Sequence, residues 1–186
     1  EVKKICTAID WDCNFNKFFS EKNKSCRINV IESINWFFSK QEKGIILEDD
    51  CIPDLTFYNF CKVLLDKYEF NESIMQINGH CNNQISSNNE TYYFSKLNST
   101  WGWATWKRAW SKFTTNMDDF EEMKNTKVLN HFYQNEDIAE WMQKYYEKTF
   151  KGKDKIWSLN WAYSILKSNG LIISPFKNLI YNSGFD

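Results

Sequence analysis

The apolar positions change their period along the chain, and the changes lay out an alternation of helices and strands. From Ser25 to Ser39, Ile28, Ile31, Ile34, Trp36, Phe37 and Phe38 recur near helical spacing, with Ser25 as the N-cap. Gly44 to Leu47 reads as a short buried strand. Phe57, Phe60, Cys61, Leu64, Leu65 and Tyr68 then fall at i, i+3, i+4, i+7, i+8 and i+11, the clearest amphipathic helix in the chain. Ile74 to Ile77 is the next strand, ended by Asn78-Gly79, and Tyr92 to Phe94 is another. Ile138, Trp141, Met142, Tyr145 and Tyr146 mark one face of a helix from Asp137 to Phe150. A second helix spans Trp157 to Lys167 with Gly170 as its terminator, and Leu171 to Ser174 is a last buried strand before Pro175. Asn14 to Phe19 fits a further short strand. The order strand, helix, strand, helix, strand predicts an α/β fold with a mostly parallel sheet flanked by helices.

Two segments stand outside this pattern. His80 to Glu90 is polar and rich in Asn and Ser, which suits either a lid at a strand end or a plain surface loop. Trp101-Gly102-Trp103-Ala104-Thr105-Trp106-Lys107-Arg108-Ala109-Trp110 reads as a strand-to-helix corner. Trp101 and Trp103 would share one face of the extended part, and Trp106 and Trp110 one face of the helix. Gly102 removes a side chain where another group can approach the backbone. Trp101-Gly102-Trp103 is therefore either core packing or one wall of a sugar pocket.

Composition narrows the classes. With 186 residues, one domain with a real core is expected. The 23 basic and 24 acidic residues leave a net charge of −1 with no basic stripe, which argues against nucleic acid as a partner. Aromatics at 18% point either to a Trp-rich core or to flat surfaces for stacking on a sugar or base. The six cysteines, Cys6, Cys13, Cys26, Cys51, Cys61 and Cys81, form no CxxC pair, so a zinc site is not expected. Reduced, mostly buried thiols fit a chain of this size and predict a cytoplasmic setting, although four sequons (Asn23, Asn71, Asn89, Asn98) would suit a secreted protein. The chain opens inside a helix end (Val2 to Ile9) and stops just after an apolar run. It therefore reads as a piece of a longer protein lacking an N-terminal strand and its C-terminus.

The chemistry concentrates in Leu47-Glu48-Asp49-Asp50-Cys51-Ile52-Pro53-Asp54. A buried strand delivers the backbone into three adjacent carboxylates, Pro53 ends regular pairing and Asp54 can cap the next helix. Adjacent acids repel, and hard carboxylate oxygens suit Mg²⁺ or Mn²⁺. The C-terminal end of a strand is also where open α/β sheets bind ligands. Together these features suggest a diphosphate-bearing substrate, while acids in this place can equally be helix caps and solvated turns.

In this order, four segments carry a resemblance: Leu47-Glu48-Asp49-Asp50-Cys51-Ile52-Pro53, Trp101-Gly102-Trp103-Ala104-Thr105-Trp106, Trp157 to Trp161, and Asn182-Ser183-Gly184-Phe185. The chain resembles the GT-A glycosyltransferases of the nucleotide-diphospho-sugar transferase superfamily. Within it, the chain is most similar to a bacterial group distantly related to the Golgi enzyme N-acetylglucosaminyltransferase I. The resemblance implies a GT-A-like (Rossmann-like) fold and metal-dependent, inverting transfer of a sugar from a nucleotide donor to a glycan or lipid-linked acceptor. A lipid-linked acceptor would bring peripheral membrane association. It makes residues 1–79 the nucleotide-sugar half and 80–186 the acceptor half of one domain. It also makes the acidic triplet a form of the DxD motif. Asp50 would then ligate Mn²⁺ or Mg²⁺, with Asp49 and Glu48 against the donor and the metal's water shell.

One departure is plain. Relatives carry an Asp after the Trp that opens the late helix, and it is the expected base; this chain has Ser158. Asp154 is the nearest substitute upstream, ahead of Glu136 and Asp137. Ser158 thus also supports an alternative, a carbohydrate-binding or scaffold protein that kept the fold and lost catalysis. A nucleotidyltransferase reading lacks the Gly-rich, basic phosphate loop that such chemistry uses.

Overall fold

A computed structural model of the chain describes residues 9–81, 90–153 and 156–185. The first helix, α1 (Ser25–Phe38), packs Ile34 and Phe38 inward. Lys24, not Ser25, holds its N-cap position without a side-chain cap bond, and Ser25, the first residue of the helix, has a positive φ of 74°. The segment Asn14 to Phe19 forms no strand, and Phe18 stacks on Trp36 of α1 at 5.4 Å.

Strands β1 (Lys43–Ile46) and β2 (Cys51–Pro53) flank the acidic triplet, and α2 (Leu55–Lys67) follows. Asp54 caps α2 as its spacing predicts, accepting from the Thr56 N–H at 2.8 Å and the Thr56 hydroxyl at 2.6 Å. These bonds favour the ionised carboxylate and lower its pKa. Next come β3 (Ile74–Asn78), buried throughout, β4 (Tyr92–Ser95) and β5 (Trp103–Trp106). Short helices α3 (Lys107–Trp110), α4 (Phe120–Lys124) and α5 (Val128–Tyr133) lead into α6 (Glu136–Phe150) and α7 (Trp157–Lys167). Strands β6 (Leu171–Pro175) and β7 (Ile180–Asn182) close the chain with a 3₁₀ turn, Ser183–Phe185. In α6 the buried stripe is Ala139, Met142 and Tyr146, while Trp141 stays outside against Tyr145.

The main sheet has the order β1-β5-β3-β6-β4, and β2 pairs with β7 in a separate ribbon. Only β3 and β6 are parallel neighbours; the pairs β1/β5, β3/β5 and β4/β6 are antiparallel. The mostly parallel sheet expected from the strand–helix alternation is therefore corrected to a mixed, mostly antiparallel one. The physical reason is that β5 inserts between β1 and β3, a long-range choice that local periodicity does not encode. Strands β1, β3 and β6 still run in one direction, so their C-terminal ends share one edge of the sheet. Strands from the two halves divided at residue 79 interleave in this sheet, β1 and β3 with β4, β5 and β6.

Helices cover both faces. On one, α2 packs Phe57, Cys61, Leu64 and Leu65 against Ile74, Ile77, Ala104, Trp106 and Ile173. On the other, α1, α3 and α5–α7 bury a cluster that includes Trp103, Trp110, Trp157 and Trp161. Trp103 lies 6.0–6.2 Å from three other indoles, and Trp110 stacks on Phe113 at 4.4 Å. Trp106 is the last extended residue of β5, so it faces α2 while Trp110 faces the opposite core. The shared helical face expected for these two indoles does not form. Arg108 joins the layers by donating to the carbonyl oxygens of Tyr68, Glu69 and Ile74 at 2.7–2.9 Å. Cys13, Cys26, Cys51, Cys61 and Cys81 are free thiols, the last three buried. No helix among the described residues is long and apolar enough to cross a membrane.

Trp161 donates its indole N–H to Gln76 Oε1, whereas the equally buried Trp103 Nε1 has no partner. Trp161→Phe should therefore cost about 1–3 kcal/mol more than Trp103→Phe, because it alone strands a buried acceptor. Denaturant unfolding of the two variants measures the difference.

Candidate functional site

The acidic triplet sits where β1 leaves the sheet. Leu47 continues β1, and Glu48 to Cys51 form a tight turn closed by the Cys51 N–H donating to the Glu48 carbonyl at 3.1 Å. Asp49 is exposed at the tip; Glu48 and Asp50 are half-buried. The turn re-enters β2, which pairs antiparallel with β7, placing Cys51 opposite Asn182. Ser183 donates both its N–H (2.9 Å) and its hydroxyl (3.2 Å) to the Asp50 carbonyl. The Gly184 N–H donates to Asn182 Oδ1 at 2.8 Å. Asp50 Oδ2 lies so close to Gly184 that a Cβ there would stand 2.8 Å from it. Two motifs 133 residues apart in sequence thus fix the backbone of Asp50, with its carboxylate beside Gly184.

The ends of three strands are tied together beside it. The Gly79 N–H, just past β3, donates to the Gly102 carbonyl at 2.8 Å, and the Leu179 N–H donates to the Gly79 carbonyl at 3.0 Å. Gly102 has φ +56°, and a Cβ on it would meet Ile180 at 2.4 Å and Leu47 at 3.1 Å. That left-handed residue reverses the facing of the chain. Trp101 accordingly packs on the α2 side and stays partly exposed, while Trp103 is fully enclosed in the opposite core. The two do not share a face, and of this segment only Trp101 presents surface beside the strand ends.

Sequence reasoning overlooked the groups that support this edge. Gln76 and Asn78, at i and i+2 on β3, are buried amides in an otherwise apolar strand, a signal that was readable. Asn78 Oδ1 accepts from Gln76 Nε2 (2.5 Å) and the Ser99 N–H (3.0 Å), while Asn78 Nδ2 donates to the Leu97 carbonyl (3.0 Å) and Ser174 Oγ (2.9 Å). Gln76 also donates to the Ser99 carbonyl at 2.7 Å. These bonds fix the 97–101 segment, against which His80 rests: its ring lies 4.6 Å from Trp101, and Nδ1 lies 3.4 Å from Ser99 Oγ. Burial lowers the His80 pKa.

Ser158 is half-buried in the first turn of α7, and its carbonyl accepts from Asn98 Nδ2 at 3.3 Å, so that turn borders the same segment. Asp154 lies outside the described residues, as does 82–89 of the loop read as lid or surface. Glu136 and Asp137 lie in the first turn of α6, where acids complement the helix's amide end.

Electrostatically the triplet is strained. Burial, and then the neighbouring charges of Asp50 and Asp49, push the Glu48 pKa up. No group of three or more His, Cys, Asp or Glu side chains among the described residues is arranged to hold a metal by itself. The donor set nevertheless fits Mg²⁺ or Mn²⁺, because such ions commonly take one or two carboxylates and fill their remaining positions with water and substrate phosphates. Asp50 and Asp49 would hold the ion, and its charge would relieve Glu48. No family model matches this chain, and no curated protein matches it either.

In metal-free buffer a carboxyl whose folded pKa is raised costs stability once pH climbs above the ordinary Glu range, because the folded state binds its proton more tightly. Glu48→Gln should therefore stabilise the protein at neutral pH. The gain should vanish as pH falls below about 4, where Glu is protonated in both states. Chelator-treated samples unfolded across that range test the expectation.

Proposed function

We propose that this chain is a metal-dependent glycosyltransferase domain that moves a sugar from a nucleoside-diphosphate donor to a glycan or lipid-linked acceptor hydroxyl, with inversion. The observation that carries the reading is the placement of Asp50. The backbone of Asp50 is held by Ser183, and its carboxylate lies against Gly184, at the edge where β1, β3 and β6 all end. Open sheets bind ligands at such an edge. Transfer releases a nucleoside diphosphate whose charge grows as the sugar departs, and a bound Mg²⁺ or Mn²⁺ would supply the countercharge. Asp50 and Asp49 would bind that ion, and Trp101 would border the sugar. The GT-A arrangement inferred from the sequence motifs belongs to this proposal, as does a cytoplasmic, membrane-peripheral setting.

Ser158 in place of the expected acid favours a second reading, a carbohydrate-binding or scaffold protein without turnover. Such a protein would bind free oligosaccharide with no metal requirement.

Calorimetry with Mn²⁺ and UDP or GDP separates the two. Metal-dependent nucleotide binding is expected, and Asp50→Ala should weaken it beyond the about 100-fold typical of losing an outer-shell partner. Gly184→Ala, which crowds Asp50 without removing it, should cost about 10–100-fold. Binding that ignores metal, or that survives Asp50→Ala, would refute the proposal.

A further inference from the structure

The transfer needs a group that takes the proton of the attacking hydroxyl, and Ser158 cannot serve near neutral pH. We infer that His80, through Nε2, is that proton acceptor, an inference that rests on the glycosyltransferase reading. As the acceptor oxygen bonds to the anomeric carbon, the bond from that carbon to the diphosphate oxygen breaks. The electron pair leaves with the nucleoside diphosphate, and the hydroxyl proton passes to Nε2 of the imidazole.

Placement comes first. His80 follows β3 directly, one residue past Gly79, whose N–H is bonded to the Gly102 carbonyl. Gly102 in turn packs on Leu47, which leads into the acidic triplet, and its backbone lies against the Cys51 sulfur. The imidazole thus leaves the sheet at the same edge as the carboxylates, two strands away with the start of β5 between them. Its ring is oriented by Trp101 at 4.6 Å and by Ser99 Oγ at 3.4 Å from Nδ1. Ser99 is itself fixed, because its N–H donates to Asn78 Oδ1 and its carbonyl accepts from Gln76. A hydroxyl oxygen has two acceptor sites. One Ser99 site takes the Trp101 N–H at 3.4 Å, and the other is free for Nδ1–H. With Nδ1–H as the donor to Ser99, the lone pair lies on Nε2, which has no protein partner among the described residues.

Protonation suits the task. Burial alone lowers the His80 pKa, and no charged group contributes, so the ring is neutral at neutral pH. Cys81, next in the chain, has its Sγ 3.6 Å from the Tyr93 hydroxyl, and Cys51 Sγ, at the same edge, donates to Asp50. The chain's other histidine, His131 on α5, is exposed and serves as an internal reference.

Two measurements test the inference. In ¹⁵N-histidine-labelled full chain above neutral pH, His80 should show a protonated Nδ1 and an unprotonated Nε2; an Nε2–H tautomer would overturn it, whatever the turnover. With Mn²⁺ and a panel of UDP- and GDP-sugars, release of nucleoside diphosphate by His80→Gln should fall by about 10²–10⁴-fold, the usual contribution of a general base. The acid limb of its kcat/KM profile should disappear, with Mn²⁺-dependent UDP or GDP affinity kept within about 2-fold. Undiminished release by a variant that still binds nucleotide removes His80 from the reaction but leaves the proposed function standing. Absence of metal-dependent nucleotide binding in the wild-type chain removes the proposed function itself.

Discussion

The arrangement at the sheet edge depends on a close backbone approach that only glycine permits. Gly102 brings its carbonyl to the Gly79 N–H and its Cα against the side chains of Ile180 and Leu47, so the ends of β1 and β3 and the starts of β5 and β7 meet with no side chain of residue 102 between them. A larger residue at either position would push these ends apart. It would also carry the acidic turn away from Asn182, Ser183 and Gly184. The same φ of +56° at Gly102 decides that Trp101 borders the edge while Trp103 enters the core.

Around that contact the molecule keeps two kinds of polar group in apolar surroundings. Gln76 and Asn78 are buried and hydrogen-bonded to one another, to backbone and to Trp161, so they order the 97–101 segment rather than loosen the core. Glu48, by contrast, is half-buried beside two like charges, and no hydrogen bond or ion pair among the described residues compensates it. Satisfied amides give a scaffold; uncompensated carboxylates give a place for an external charge. Under the proposed function, a cation that arrives with a diphosphate would meet both conditions, and the tied strand ends would leave little reorganisation to receive it.

The abundance of tryptophan is mostly a matter of packing. Trp103, Trp106, Trp110, Trp157 and Trp161 are all buried and fill the two cores on either side of the sheet. Trp103 does so with an unpartnered indole N–H, so its burial comes from shape and apolar area rather than from a hydrogen bond.

Much of this was legible in the residues themselves. The i, i+3, i+4 spacing gave α2 and its buried face, Asp54 gave its cap, and the apolar run before Glu48 gave β1, because each rests on interactions within a few residues. The cluster of three acids also declared itself, since adjacent charges need no tertiary information to be recognised. Strand order was not readable: whether β5 lies beside β1 antiparallel or elsewhere depends on contacts across some 60 residues. The partners of Asp50, the facing of Trp101 and Trp103, and the resting place of His80 were hidden for the same reason. The sequence alone determined the long helices, the buried strands and where the charges gather. Only the tertiary structure decided which strand ends adjoin, because non-local pairing and a glycine-tight crossing fix that choice.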